Sequence, residues 1–155
     1  MDLQTYISNA VKVQRQNKFS QSDQLSLGEL ILKLEPIVAK QSEVIEKYKS
    51  EAEVVYDFEY LYPTQFDSWR GSYDELALNF EANRYNSKRL TVSEFLNLCK
   101  ETIGKTFTGY KGGEYTMGKS TPVWVANNGN AGNTAVVNVV DNEHEVILIT
   151  GLCEF

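Results

Sequence analysis

Two spacings of apolar residues divide the chain. Up to Ser50 apolar side chains recur every three or four positions, as on one face of a helix, whereas after Ala52 they alternate with polar ones, as in a half-buried strand. Leu3, Tyr6, Ile7, Ala10 and Val11 form the stripe of a first helix that Asp2 can cap. Leu27, Leu30, Ile31 and Leu34 form a second stripe. Its start is the best specified in the chain: Ser26 and Glu29 stand at capping-box spacing, and Leu25 and Leu30 are placed for the flanking hydrophobic staple. Pro36 is expected to end or kink this helix, because it brings no backbone N–H. The mixed charges from Ser42 to Ser50 read as an exposed helix or a linker.

The strand pattern begins with Val54, Tyr56, Phe58 and Tyr60, each separated by a more polar neighbour. Leu76, Leu78 and Phe80 alternate in the same way, although Ser72 and Glu75 could also cap a short helix, so residues 73–81 are read as a strand with a helix as the alternative. Thr91 and Glu94 make a second capping box, with Phe95, Leu96, Cys99 and Ile103 at helical spacing and Gly104 placed to stop the helix. Beyond it, runs at 105–110, 114–117, 122–126, 134–140 and 145–150 are rich in β-formers and separated by turn residues. They read as an antiparallel meander turned by Gly112 and Gly113, by the segment 128–132 and by Asp141 and Asn142. Val136, Val137, Val139 and Val140 break strict alternation, which points to a strand covered on both faces.

The fold class that follows is α+β. A helical N-terminal layer, residues 1–50, packs on a mostly antiparallel sheet of about five to seven strands. The sheet half, 53–155, carries one inserted helix near 92–103, and the 155 residues are expected to form a single domain.

Charge narrows the range of partners. The net charge is −6, which argues against general nucleic-acid binding through phosphate neutralisation. Residues 1–52 balance at seven acidic and seven basic side chains, so the excess belongs to the sheet half, where Lys105, Lys111 and Lys119 stand out in a glycine-rich stretch. No apolar run is long enough to span a bilayer, and the first residues lack a basic and apolar leader pattern, so an intracellular protein without membrane association is expected. Cys99 and Cys153 have no metal-ligand spacing and read as reduced thiols, with no metal and no cofactor expected.

Two polar, aromatic-rich segments carry the candidate chemistry. In the first, Arg70 lies between Trp69 and Tyr73 beside Ser68 and Ser72, a planar donor fork among rings and hydroxyls that suits a phosphate or carboxylate. Its structural alternative has Arg70 pinning the turn through Asp67 while Trp69 fills the core. In the second, Tyr110, Lys111, Tyr115 and Lys119 lie in a glycine-rich stretch where backbone can approach a ligand closely. It is not a Walker loop, since Pro122 and a strand follow where that motif needs a helix. Its alternative is a hairpin whose glycines serve only the turn. The sole histidine, His144, reads as a surface residue in a turn, and no catalytic residue is assigned.

Two resemblances bear on function. The series Arg70, then Ser120-Thr121, then Glu143 and Glu145 resembles the Arg, Ser-Thr-Ser, Glu-x-Glu order of ADP-ribosyltransferases, although the middle motif lacks its final serine. That resemblance implies an NAD-using enzyme. The segments DSWRGSYDELAL (67–78), TFTGYKGGEYTM (106–117), TPVWVANN (121–128) and VILIT (146–150), with LSLGELILKLE nearer the N-terminus, resemble small bacteriophage and prophage proteins of unassigned function. This implies a phage origin and a counter-defence role in the host cytoplasm. The expected activity is non-enzymatic: Trp69, Arg70, Ser72, Tyr73, Tyr110, Lys111, Tyr115 and Lys119 would sequester a nucleotide-like anionic host signal. The alternative is direct inhibition of a host defence protein through the acidic surface. A homo-oligomer is a further expectation, from aromatic-rich sheet edges.

Overall fold

The computed structural model describes residues 19–20, 23–58, 61–68, 76–82, 89–108, 112–125 and 134–154. The elements run β1 (Phe19–Ser20), α1 (Leu27–Ala39), α2 (Gln41–Tyr48), β2 (Glu53–Tyr56), β3 (Leu61–Ser68), β4 (Leu76–Ala82), α3 (Val92–Thr102), β5 (Thr106–Thr108), β6 (Glu114–Thr116), β7 (Val123–Val125), β8 (Thr134–Asn142) and β9 (Glu145–Glu154). The α+β class is the one expected, and β4 is a strand. The first helix expected, from Asp2 to Val11, lies outside the described residues.

Both capping boxes form. Ser26 Oγ accepts the Glu29 N–H while Glu29 returns its carboxylate to the Ser26 N–H, and Thr91 and Glu94 do the same at the start of α3. Pro36 does not end α1, which continues to Ala39. A helix-interior proline costs about 3 kcal/mol, but α1 buries Leu27, Leu30, Ile31, Leu34 and Ile37. Each such side chain contributes about 1.5–3 kcal/mol on burial, so packing outweighs the break. The segment after it is a helix, α2, tied in at its first residue: buried Gln41 donates to the Ile37 carbonyl and accepts the Ala52 N–H at 2.8 Å.

The main sheet has seven strands in the order β1-β9-β8-β7-β4-β3, and β2 also pairs with β9. Antiparallel ladders join β3 to β4, β7 to β8, β8 to β9 and β5 to β6, but β1 and β2 both run parallel to β9, and β4 runs parallel to β7. The expected meander is therefore only partly realised. β5 and β6 leave it to form a separate two-stranded sheet, and the turn between them has positive φ at Gly112 but not at Gly113. The last hairpin closes later than expected, because Asp141 and Asn142 belong to β8 and the two-residue turn is Glu143-His144.

The helices cover one sheet face. There Leu27, Leu30, Leu34, Val54, Leu76, Phe95, Met117, Val136 and Leu148 make the principal core. The opposite face carries a smaller cluster of Val55, Tyr62, Ile147 and Ile149, against which Val137 and Val140 pack. A register shift between Val136 and Asn138 explains the unbroken valines: it lets Val136 and Val139 join the principal core and Val137 and Val140 the smaller one.

Candidate functional site

Of the residues expected to bind a ligand, Trp69, Arg70, Ser72, Tyr73, Tyr110 and Lys111 lie outside the described residues. Tyr115 faces Phe107 across the small sheet and packs against the principal core. Lys119 sits in the loop before β7 and lines a groove to which Tyr115 does not contribute. The structure does not bring these two together. Asp67, the alternative partner of Arg70, accepts the Asn79 amide at 2.7 Å.

The groove, of about 590 Å³, runs between α1 and the end of α3. Gly28, Ile31, Leu32 and Ile103 form its apolar wall, with Glu29, Glu35, Lys100 and Lys119 around them. Leu32 is 70% exposed, the most exposed of the large apolar side chains among the described residues. The first-turn amides of α1 are already used: those of Leu27 and Gly28 donate to the Thr121 and Lys119 carbonyls, and that of Glu29 to Ser26 Oγ. This helix start therefore offers no free N–H group for an anion, which weakens it as a phosphate cradle.

A second, polar cleft of about 460 Å³ opens at the far end of the β8–β9 hairpin, lined by Tyr48, Glu53, Arg89, Asn142, Glu143, His144 and Glu145. Here His144 is more than a surface residue. Its Nε2 lies 2.8 Å from Ser50 Oγ, and its ring stacks on Tyr48 with centroids 4.6 Å apart and planes within 1°. Its neighbour Glu143 takes φ of 56°, a conformation that glycine usually supplies in a two-residue hairpin turn. Three groups hold it there: Lys47 Nζ and the Tyr48 hydroxyl donate to its carboxylate at 3.1 and 2.5 Å, and Asp141 accepts its N–H. The Tyr48 hydroxyl and the Lys47 ammonium keep the Glu143 carboxyl below its ordinary pKa, and the same pairing raises that of Lys47.

A serine oxygen on an imidazole nitrogen is the pairing of nucleophile and base. Among the described residues, however, no side chain orients the other ring nitrogen, so the third member of a triad is missing. The transferase series does not assemble either. Ser120 lines the groove, near the end of β8 where Ala135 pairs with Trp124, whereas Glu143 and Glu145 line the cleft at its other end. The separation is about 20 Å along the strand. Among the described residues no group of three or more His, Cys, Asp or Glu could hold a metal ion, and no helix is long and apolar enough to cross a membrane.

Sequence reasoning missed the cleft because its parts come from positions 48, 53, 89 and 142–145. The available signal was a glycine-free hairpin turn containing the chain's only histidine. No protein-family model matches the chain, and neither does any curated protein or solved structure. Function is therefore argued from what these two cavities among the described residues can bind.

Proposed function

We propose that the chain is a non-enzymatic binding protein that captures an apolar segment of a partner protein in the groove between α1 and α3. The carrying observation is Leu32, exposed beside Ile31 and Ile103 in a groove flanked by charges of both signs. A wall of this kind suits the apolar face of an amphipathic helix, with Glu29, Glu35, Lys100 and Lys119 setting its register. Together with the motifs that resemble phage proteins, this supports an inhibitor of a host defence protein in the cytoplasm of an infected cell.

A cross-linking amino acid placed at position 32 tests the reading in host cells. One stoichiometric adduct should form, and Ile103→Asp should abolish it. An adduct pattern no different from that of a cross-linker at exposed Lys33 would sink the proposal.

One observation keeps the small-ligand reading alongside it: Lys100 and Lys119 approach the groove from separate elements. A nucleotide-like anion held there at 100 times its dissociation constant should stabilise the fold by about 2.7 kcal/mol. Thermal melts with nucleotide messengers and NAD derivatives measure this, and no rise with any of them removes that reading.

A further inference from the structure

At the open end of the sheet, three polar residues stand in one row across three strands. Asn142 of β8 is the cross-strand partner of Glu145 of β9, and Glu145 is the partner of Glu53 of β2. Residues in register on adjacent strands project to the same face, here the face of the smaller apolar cluster, since Val55 and Ile147 follow two positions on. A bridge from Glu53 to Thr91 extends the row, and Arg89 lies two residues before Thr91 with its guanidinium over the Tyr62 ring at 5.7 Å. All four polar side chains, Asn142, Glu145, Glu53 and Arg89, line the polar cleft.

None of them has a hydrogen-bonding or ionic side-chain partner among the described residues. Glu53 and Glu145 stand on neighbouring strands, which lie about 4.8 Å apart, and among the described residues neither carboxylate has an ion pair or a hydrogen bond. Arg89 has no carboxylate partner either. Asn142 is only 9% exposed, and its carboxamide, which lines the cleft, makes no hydrogen bond among the described residues. Side-by-side like charges oppose pairing of the strands. Nearby Glu143, by contrast, is held by both Lys47 and Tyr48. The cleft thus gathers two anionic acceptors, one cationic donor and one amide that no side chain among the described residues pairs.

The geometry points to a binding site in this cleft for a cationic amine or guanidinium group, held between Glu53 and Glu145, with Arg89 and Asn142 taking an acceptor group beside it. A free amino-acid-like molecule and a basic side chain of a partner protein share this chemistry. The site uses no residue of the α1–α3 groove, so it stands or falls separately from the proposed function.

The test uses the full chain, following the Asn142 side-chain amide and the His144 ring by NMR. Two probes are added separately: free L-arginine, and a capped peptide carrying one arginine next to one aspartate. At least one should shift both signals without moving those around Leu32, and E53Q/E145Q should weaken that binding about tenfold or more. Binding of L-arginine assigns a small-molecule ligand; binding of the peptide alone assigns a partner side chain. Because the double variant removes a like-charge contact, it should melt at or above the temperature of the parent, which separates lost binding from lost folding. No shift with either probe at roughly 10 mM, or a shift that E53Q/E145Q leaves unchanged, overturns the assignment.

Discussion

The Gly28 amide donates to the Lys119 carbonyl at 2.8 Å, and a Cβ on Gly28 would lie 2.9 Å from that same oxygen. Glycine inside a helix ordinarily costs about 1 kcal/mol relative to alanine. Here it allows the loop before β7 to lie directly on the first turn of α1, which forms one end of the groove. Gly28→Ala should therefore destabilise the protein, by about 1–3 kcal/mol for an overpacked contact. The denaturant midpoint measures this; an unchanged or raised midpoint would show that the loop does not depend on the contact.

Gln41 joins two elements through one side chain, donating to Ile37 and accepting from Ala52. Gln41→Leu keeps much of the volume but leaves the Ala52 N–H without its acceptor. The expected loss is about 1–3 kcal/mol, read by equilibrium unfolding. Faster hydrogen exchange at the Ala52 amide, where α2 hands over to β2, should accompany it.

The Glu143 contact sets a pH dependence with a definite sign. Tyr48 and Lys47 lower the folded-state pKa of Glu143, so its stabilising effect is fully present above the ordinary carboxylate value, about 4.3. It is lost as pH falls through the lowered one. Lys47, whose pKa is raised mainly by Glu143, contributes below its ordinary value and loses the effect as pH rises through the raised one. Across neutral pH the hairpin should stay anchored, and in acid its exchange protection should fall. Lys47→Met should make the acid loss begin at higher pH, and an unshifted acid limb would rule out the pairing.

Cys99 is fully buried in the principal core, and desolvation pushes its thiol well above the ordinary range. In a Cys153→Ser background, a thiol reagent should modify Cys99 only as fast as the protein unfolds. Rapid modification of native protein would place Cys99 in an accessible site instead.

Features set by local chemistry could be read from the chain. Ser26 with Glu29 and Thr91 with Glu94 start their helices through partners three residues away, so the sequence alone shows the cap. β3 could not be found that way, because Pro63 interrupts its pattern and a register shift separates Pro63 from Phe66. β3 tolerates the proline because, among the described residues, it is an edge strand of the sheet. The parallel pairing of β2 with β9 joins Glu53 to Glu145 across most of the chain, and no turn residue signals it. The same distance hid the cleft: Ser50 meets His144 only because α2 and the last hairpin converge. Conversely, Tyr115 and Lys119 are close in sequence but serve separate surroundings, since β6 turns Tyr115 toward the core while the following loop carries Lys119 to the groove.

β9 pairs on one side with β8 and on the other with both β1 and β2, and it follows all of them in the chain. During synthesis β1 and β2 have no ladder to join until β9 leaves the ribosome. The helical layer can form early, because both capping boxes are local, but it must wait with its apolar stripe uncovered by the finished sheet. Non-local closure of this kind slows folding and lengthens the time for which a nascent chain exposes Leu27, Leu30 and Leu34. Destabilising changes in β9 should therefore show up first as aggregation during expression rather than as a lower melting temperature of the protein that survives.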